Sequence, residues 1–69
     1  MNELIKKIRE YAVAKDLDNL IEAGGELENI KHDTFEHRQI KNTILNLIED
    51  VYNGDIHAYK AIVRECDQF

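Results

Sequence analysis

The 69-residue chain contains no proline, and its only glycines are Gly24, Gly25 and Gly54. Proline and glycine punctuate sheets and hairpins, so their scarcity leaves few places where a sheet could turn. Apolar residues recur three and four positions apart, whereas the alternation typical of strands is not sustained anywhere. The sequence therefore predicts an all-α fold: a single helical domain over residues 1–69, built as a small bundle of three or four helices.

The longest predicted helix covers residues 34–52 and is expected to be central. Asp33 and Glu36 have the spacing of a capping box at its start, and Asn53-Gly54 supplies a residue able to adopt the left-handed conformation that ends helices. Asp55 is then expected to cap a last helix. Apolar residues follow the helical period along the long segment: Phe35, Ile40, Ile44, Leu47, Ile48 and Val51.

Two shorter helices are predicted in the first half, the second of them capped by Asp16. The apolar stripe of this second helix continues through Gly24-Gly25 without a change of phase: Leu17, Leu20, Ile21, Leu27 and Ile30. Each glycine in a helix interior costs about 0.8–1 kcal/mol relative to alanine, so the pair marks either a turn or a close approach of another backbone. The unbroken phase favours close approach.

A domain of this length has a thin core, which supplies only about 3–5 kcal/mol unless a disulfide, a metal or another subunit reinforces it. Cys66 is the single cysteine, so an internal disulfide is excluded, and it lies near an end that we expect to fray. The long helix also carries apolar residues around more than half of its circumference. We therefore expect a homodimer, with self-association through Gly24, Leu45, Ile48 and Tyr52.

The N-terminal residues lack the pattern of a signal peptide, and no apolar run approaches the roughly 18 residues of a membrane span. A lone cysteine fits a reducing compartment. We expect a cytoplasmic protein without a membrane partner.

The chain shows no signature of catalysis or cofactor binding. His32 and His37 are five residues apart, which on one helix would place their rings on different sides, and no cysteine or histidine motif typical of metal sites accompanies them. There is no glycine-rich phosphate loop. We expect no catalytic residue, no metal, no cofactor and no enzymatic activity.

Negative charge is concentrated between residues 16 and 36, where seven acids face the single base Lys31. Phosphates would repel such a segment, so direct nucleic-acid binding is not expected. Most acidic stripes are only solvated faces. The functional alternative is a surface that steers a basic partner protein, because complementary charge speeds association and selects partners. The residues predicted to bind it are Asp18, Glu22, Glu26, Glu28 and Asp33.

These observations predict a small acidic, helical, protein-binding regulator or inhibitor, for example one encoded by a phage or another mobile element and directed at a host enzyme or defence factor. One alternative is a structural subunit that assembles only with itself. Another is an immunity or antitoxin protein that neutralises a basic nuclease, its carboxylates taking the place of phosphates.

Overall fold

Four α-helices make up the regular structure of the chain. The computed structural model describes residues 2–69, with the backbone alone for Asn2. The helices are α1 (Asn2–Ala14), α2 (Leu17–Glu28), α3 (Phe35–Tyr52) and α4 (Ala58–Asp67), and the described residues contain no strand. The all-α prediction is confirmed, with four helices.

Consecutive helices pack side by side, and α4 packs against α1, so the four helices form a closed square in cross-section. At one corner the ammonium of Lys41, early in α3, donates to two carbonyl oxygens: that of Glu28 at the end of α2 (3.3 Å) and that of Ile30 just beyond it (2.6 Å). The early part of α3 therefore lies beside the end of α2, so these two helices run antiparallel. Among the described residues, no Cα atom of α1 lies within 8 Å of one in α3, and none of α2 lies within 8 Å of one in α4. Helix α3 is the longest, at 18 residues. It has two neighbours like the others, so it does not occupy the central position that the sequence predicted.

The core is built from the apolar stripe of each helix. No polar or charged side chain is buried within the described part of the chain. Burying one large aliphatic side chain contributes about 1.5–3 kcal/mol, so every helix is held by the stripe that the three-and-four spacing predicted. The largest fully buried side chains are Ile8, Leu20, Leu27, Ile44 and Ile62.

Helix α2 runs through Gly24-Gly25 without interruption, as its phase predicted. A Cβ added to Gly24 would lie 3.0 Å from Cδ1 of Ile48 and 3.8 Å from Cδ2 of Leu45. The missing side chain at Gly24 therefore lets α3 approach α2 closely. Gly25 points away from the core, and no atom lies within 4 Å of the place its Cβ would take.

The helix starts agree with the sequence in part. Asp16 caps α2 as predicted, its carboxylate accepting from the N–H of Asn19 at 3.4 Å. The capping box predicted at Asp33 is wrong: Thr34 has the extended backbone of a cap, and its hydroxyl accepts from the N–H of His37 at 3.2 Å. The prediction that Asp55 caps α4 is wrong: its carboxylate accepts from the N–H of His57 at 3.0 Å, and His57, which makes no side-chain cap bond, precedes the helix start at Ala58.

Helices α1 and α3 end in the same hydrogen-bonded turn, with Lys15 and Gly54 at equivalent positions. In each turn the N–H of this residue donates to the carbonyl oxygen three residues earlier, at 3.2 Å for Lys15 and 3.0 Å for Gly54. The following N–H donates to the carbonyl oxygen five residues earlier, which completes a Schellman motif. Both residues have positive φ, +55° at Lys15 and +108° at Gly54. Glycine takes this conformation freely, whereas a lysine there costs about 1 kcal/mol.

Two apolar residues with helical spacing near the starts of helices are exposed instead of buried. Phe35 is 65% exposed and Ile56 is also 65% exposed. Phe35 is the first residue of α3 and Ile56 precedes α4, so both lie where a stripe begins and no neighbouring helix yet covers it. None of the helices in residues 2–69 is both long and apolar enough to cross a membrane.

Candidate functional site

Four of the five acids predicted to bind a partner lie exposed on α2: Asp18, Glu22, Glu26 and Glu28. The opposite side of α2 is buried in the core, through Leu20, Ala23, Gly24 and Leu27. The fifth acid, Asp33, is exposed in the connection between α2 and α3. The structure thus brings four of the predicted residues onto one helix and leaves Asp33 off it.

The carboxylates of α2 lie along both sides of its exposed face, next to the grooves that separate α2 from its two neighbouring helices. Glu22 and Glu26 line the groove between α1 and α2, together with Lys7. Glu28 lines the groove between α2 and α3. Residues two apart on a helix differ in direction by about 200°, which explains why Glu26 and Glu28 face different grooves. Gly25 lies between these two edges.

These carboxylates have no ion-pair partner in the described residues. The one salt bridge found there joins Arg9 Nε of α1 to Asp67 Oδ1 of α4, at 2.8 Å. Lys7 borders the same groove as Glu22 and Glu26 but forms no ion pair with either. The negative charge of α2 is therefore directed to solvent.

Gly25 is exposed on the outward side of α2, among these acids. A glycine in an exposed helix interior lowers stability by about 0.5–1 kcal/mol relative to alanine. Nothing packs against Gly25, so close packing inside the protein does not explain it. Its structural consequence is a stretch of bare backbone that another molecule can approach closely. The sequence placed Gly24 on the apolar stripe, four residues after Leu20 and three before Leu27, which left Gly25 off that stripe.

The four residues predicted for self-association all line one groove of about 900 Å³ between α2 and α3. Gly24 and Ile48 are buried against each other at its floor, within the protein's own core. Leu45 is half-buried, and Tyr52 is 68% exposed. Ile21, which the sequence placed only in the α2 stripe, adds a 40% exposed apolar side chain to the same groove.

A cluster of three aromatic rings joins the end of the chain to the connection between α2 and α3. The ring of Phe69 stacks on His37, with centroids 4.7 Å apart and planes at 16°. It also lies 5.4 Å from the ring of His32, whose centroid is 6.1 Å from that of His37. The expectation that these histidines point to different sides is wrong, because His32 precedes α3 and helical spacing does not apply to it. Burial, with the charges of Lys41 and His37, lowers the pKa of His32, while Asp33 acts in the opposite direction.

The remaining chemistry of the described residues is limited. They contain no group of three or more histidine, cysteine or acidic side chains placed to hold a metal ion. Cys66 is not at a frayed end: it is buried in the last turn of α4. Burial, reinforced by Asp67, raises the pKa of its thiol to about 11. A thiol with this pKa is protonated at neutral pH and is a poor nucleophile.

Comparisons with models of protein families, with curated proteins and with solved structures found no match to this chain. What the protein binds has therefore to be inferred from its own surfaces.

Proposed function

We propose that the protein is a protein-binding regulator or inhibitor that docks the acidic face of α2 onto a basic surface of its partner. One observation carries this proposal: exposed carboxylates without ion pairs, Glu22, Glu26 and Glu28, surround the bare backbone at Gly25. Glu28 and Gly25 also adjoin the α2–α3 groove, which offers apolar contact beside the charges.

The physical basis is a combination of steering and close approach. Carboxylates that no internal cation neutralises attract a partner carrying lysine or arginine and repel acidic proteins, which raises the association rate and narrows the choice of partner. A backbone without a side chain lets the incoming segment come nearer than it could at any other outward position of α2. Charge alone gives little affinity, and this close contact adds to it.

The negative charge of the α2 face indicates the class of its partner, a protein with a basic surface. A basic segment on a host enzyme or defence factor fits the surface, and a phage or another mobile element is a plausible source of so small an inhibitor. A basic nuclease neutralised by an immunity or antitoxin protein has the same charge. A toxin reading frame beside this one would favour the nuclease.

The test is affinity capture from native lysate, followed by binding measurements on the captured partner. The double variant Glu22→Lys/Glu26→Lys should weaken binding about tenfold or more. The matched control, Glu10→Lys/Asp50→Lys, changes the net charge equally at exposed positions outside α2 and should retain binding. Equal partner recovery by wild type and the folded α2 variant would contradict the proposal.

Self-assembly is the second candidate, because Leu45, Tyr52 and Ile21 expose apolar surface along one groove. Light scattering on the wild type should then show an oligomer that Tyr52→Glu dissociates. Phe35→Glu is the matched control, since Phe35 is almost equally exposed but lies outside that groove. A monomeric wild type at working concentration would exclude this candidate.

A further inference from the structure

A second groove, of about 600 Å³, lies between α1 and α4, away from α2. Its floor is apolar and is formed by Ala12 and Val13 of α1 and by Tyr59 and Val63 of α4. Val13 is 61% exposed, so the floor is accessible from solvent.

The rim of this groove is basic. Lys15, Lys60 and Arg64 line it, all three are exposed, and no acidic residue contributes to its lining. The two acids of α4, Glu65 and Asp67, do not line the groove, and the carboxylate of Asp67 is paired with Arg9. In the described part of the chain no carboxylate forms an ion pair with any of the three rim cations. A protein of net charge −5 thus carries a local positive patch around apolar surface.

Lys15 adds a separate observation. It occupies the left-handed position of the turn that ends α1, the position that Gly54 occupies after α3. A glycine would be more stable at this position, yet the chain places a cation there, beside the groove. Backbone conformations that are costly to stability are concentrated at sites that bind something.

We propose that the α1–α4 groove binds an acidic amphipathic helix of a second protein. Such a helix presents apolar side chains at positions i, i+3, i+4 and i+7 to the floor, and its flanking carboxylates meet the basic rim. A second copy of this chain fits less well, because the apolar stripe of its own acidic helix, α2, is buried in its core and leaves only Ile21 partly exposed. With α2 proposed to bind a basic partner, the protein would connect two proteins of opposite charge.

The experiment titrates the ¹⁵N-labelled full chain with two synthetic helical peptides. Both peptides carry leucine at i, i+3, i+4 and i+7, and the flanking positions are glutamate in one and lysine in the other. The glutamate peptide should shift the amide resonances of Val13, Lys15, Lys60 and Arg64 saturably, and less at high salt. The lysine peptide should leave these resonances unchanged.

Variants then assign the binding to the rim. Lys60→Glu/Arg64→Glu should weaken binding of the glutamate peptide about tenfold or more. Lys31→Glu/Arg38→Glu removes two exposed bases outside the groove and should bind like the wild type. Lys15→Gly should weaken binding about two- to fivefold. Because this variant also relieves the backbone, a loss of binding cannot be assigned to unfolding.

Several results would overturn the proposal. Absence of shifts in the groove, equal shifts with both peptides, or unchanged binding by the folded Lys60→Glu/Arg64→Glu variant would each do so. A wild-type oligomer that this variant dissolves would make a second copy the occupant. The variant Glu22→Lys/Glu26→Lys changes α2 and leaves the α1–α4 groove intact, so it should bind the glutamate peptide like the wild type. The two proposals can therefore fail independently of each other.

Discussion

Gly24 and Gly25 are neighbours in α2 and differ in what surrounds them. An added Cβ at Gly24 would meet Ile48 at 3.0 Å, whereas the same atom at Gly25 would meet nothing within 4 Å. The first glycine is explained by the fold, because it lets α3 approach α2. The second lowers helix stability without any compensation inside the protein. The inner face of α2 is adapted to packing, and its outer face is not.

The helix ends repeat this contrast. Gly54 suits the left-handed position after α3, whereas Lys15 occupies the same position after α1 at a cost. Within the described residues, Gly25 and Lys15 are thus two places where the local choice of residue disagrees with local structure. Such disagreements are expected at functional sites. Gly25 lies on the acidic face of α2, and Lys15 lies on the basic rim of the α1–α4 groove.

The largest effect is expected at the inner glycine. Gly24→Val should lower the free energy of unfolding by about 2 kcal/mol, because the new methyl groups must displace Ile48 and separate α2 from α3. Urea unfolding followed by circular dichroism measures this change. Gly25→Val is the control and should change stability by less than about 0.5 kcal/mol. Equal losses at both positions would show that the two faces of α2 do not differ.

The next effect concerns backbone conformation alone. Gly54→Ala should destabilise by about 1 kcal/mol, because φ is +108° and an L residue is strained there. Since no atom lies within 4 Å of the added Cβ, a steric clash with other residues cannot contribute. An unchanged midpoint in urea would mean that the turn adapts, and the comparison with Lys15 would lose its basis.

Gly25→Ala should raise the stability of the protein and lower its affinity for the basic partner. It should stabilise the protein by about 0.5–1 kcal/mol through helix propensity, and it should weaken binding of the basic partner by blocking close approach. Thermal unfolding and a binding titration on the same samples give both values. A gain in stability with unchanged affinity would leave Gly25 outside the interface.

Much of the fold was predictable because helices are determined by local spacing. The continuous phase of α2 predicted a helix through both glycines, and Asp16 was identified as its cap. One local prediction was wrong by a single residue, since Thr34 rather than Asp33 caps α3. Other predictions failed where neighbours in space decide, since Phe35 finds no helix to cover it. His32 and Phe69 meet only because the fold brings the chain end to the α2–α3 connection.

The candidate surfaces were predictable to a lesser degree, since helical spacing shows that two acids point in different directions but does not show which neighbouring helix each one faces. Glu26 and Glu28 are close in sequence and face different grooves. The basic rim gave no sequence signal, because Lys15 and Arg64 come from opposite ends of the chain and only the contact between α1 and α4 joins them.

Lys15, like Gly25, is a position where the residue present is not the most stable one. Lys15→Gly should raise the free energy of unfolding by about 0.5 kcal/mol. Relief of the left-handed conformation is partly offset by the greater freedom of glycine in the unfolded chain. Lys15→Ala is the control, since it removes the charged side chain but keeps an L residue in the left-handed conformation and so should not gain this stability. Stability unchanged in the glycine variant would mean that the turn accommodates lysine without strain.

The smallest effect expected is the pH dependence of stability caused by half-buried His32, compared with exposed His57. His32 is half-buried against Phe69, and its pKa is lowered in the folded protein from the ordinary value of 6.5, mainly by burial. As the pH falls below 6.5 the unfolded chain therefore takes up the proton first, so stability is complete above that pH and declines until the lower folded-state pKa is passed. Urea midpoints between pH 8 and pH 5 should show this decline, and His32→Gln should reduce it. His57 is exposed before α4, so the reduction caused by His32→Gln must exceed that caused by His57→Gln if burial beside Phe69 is the cause.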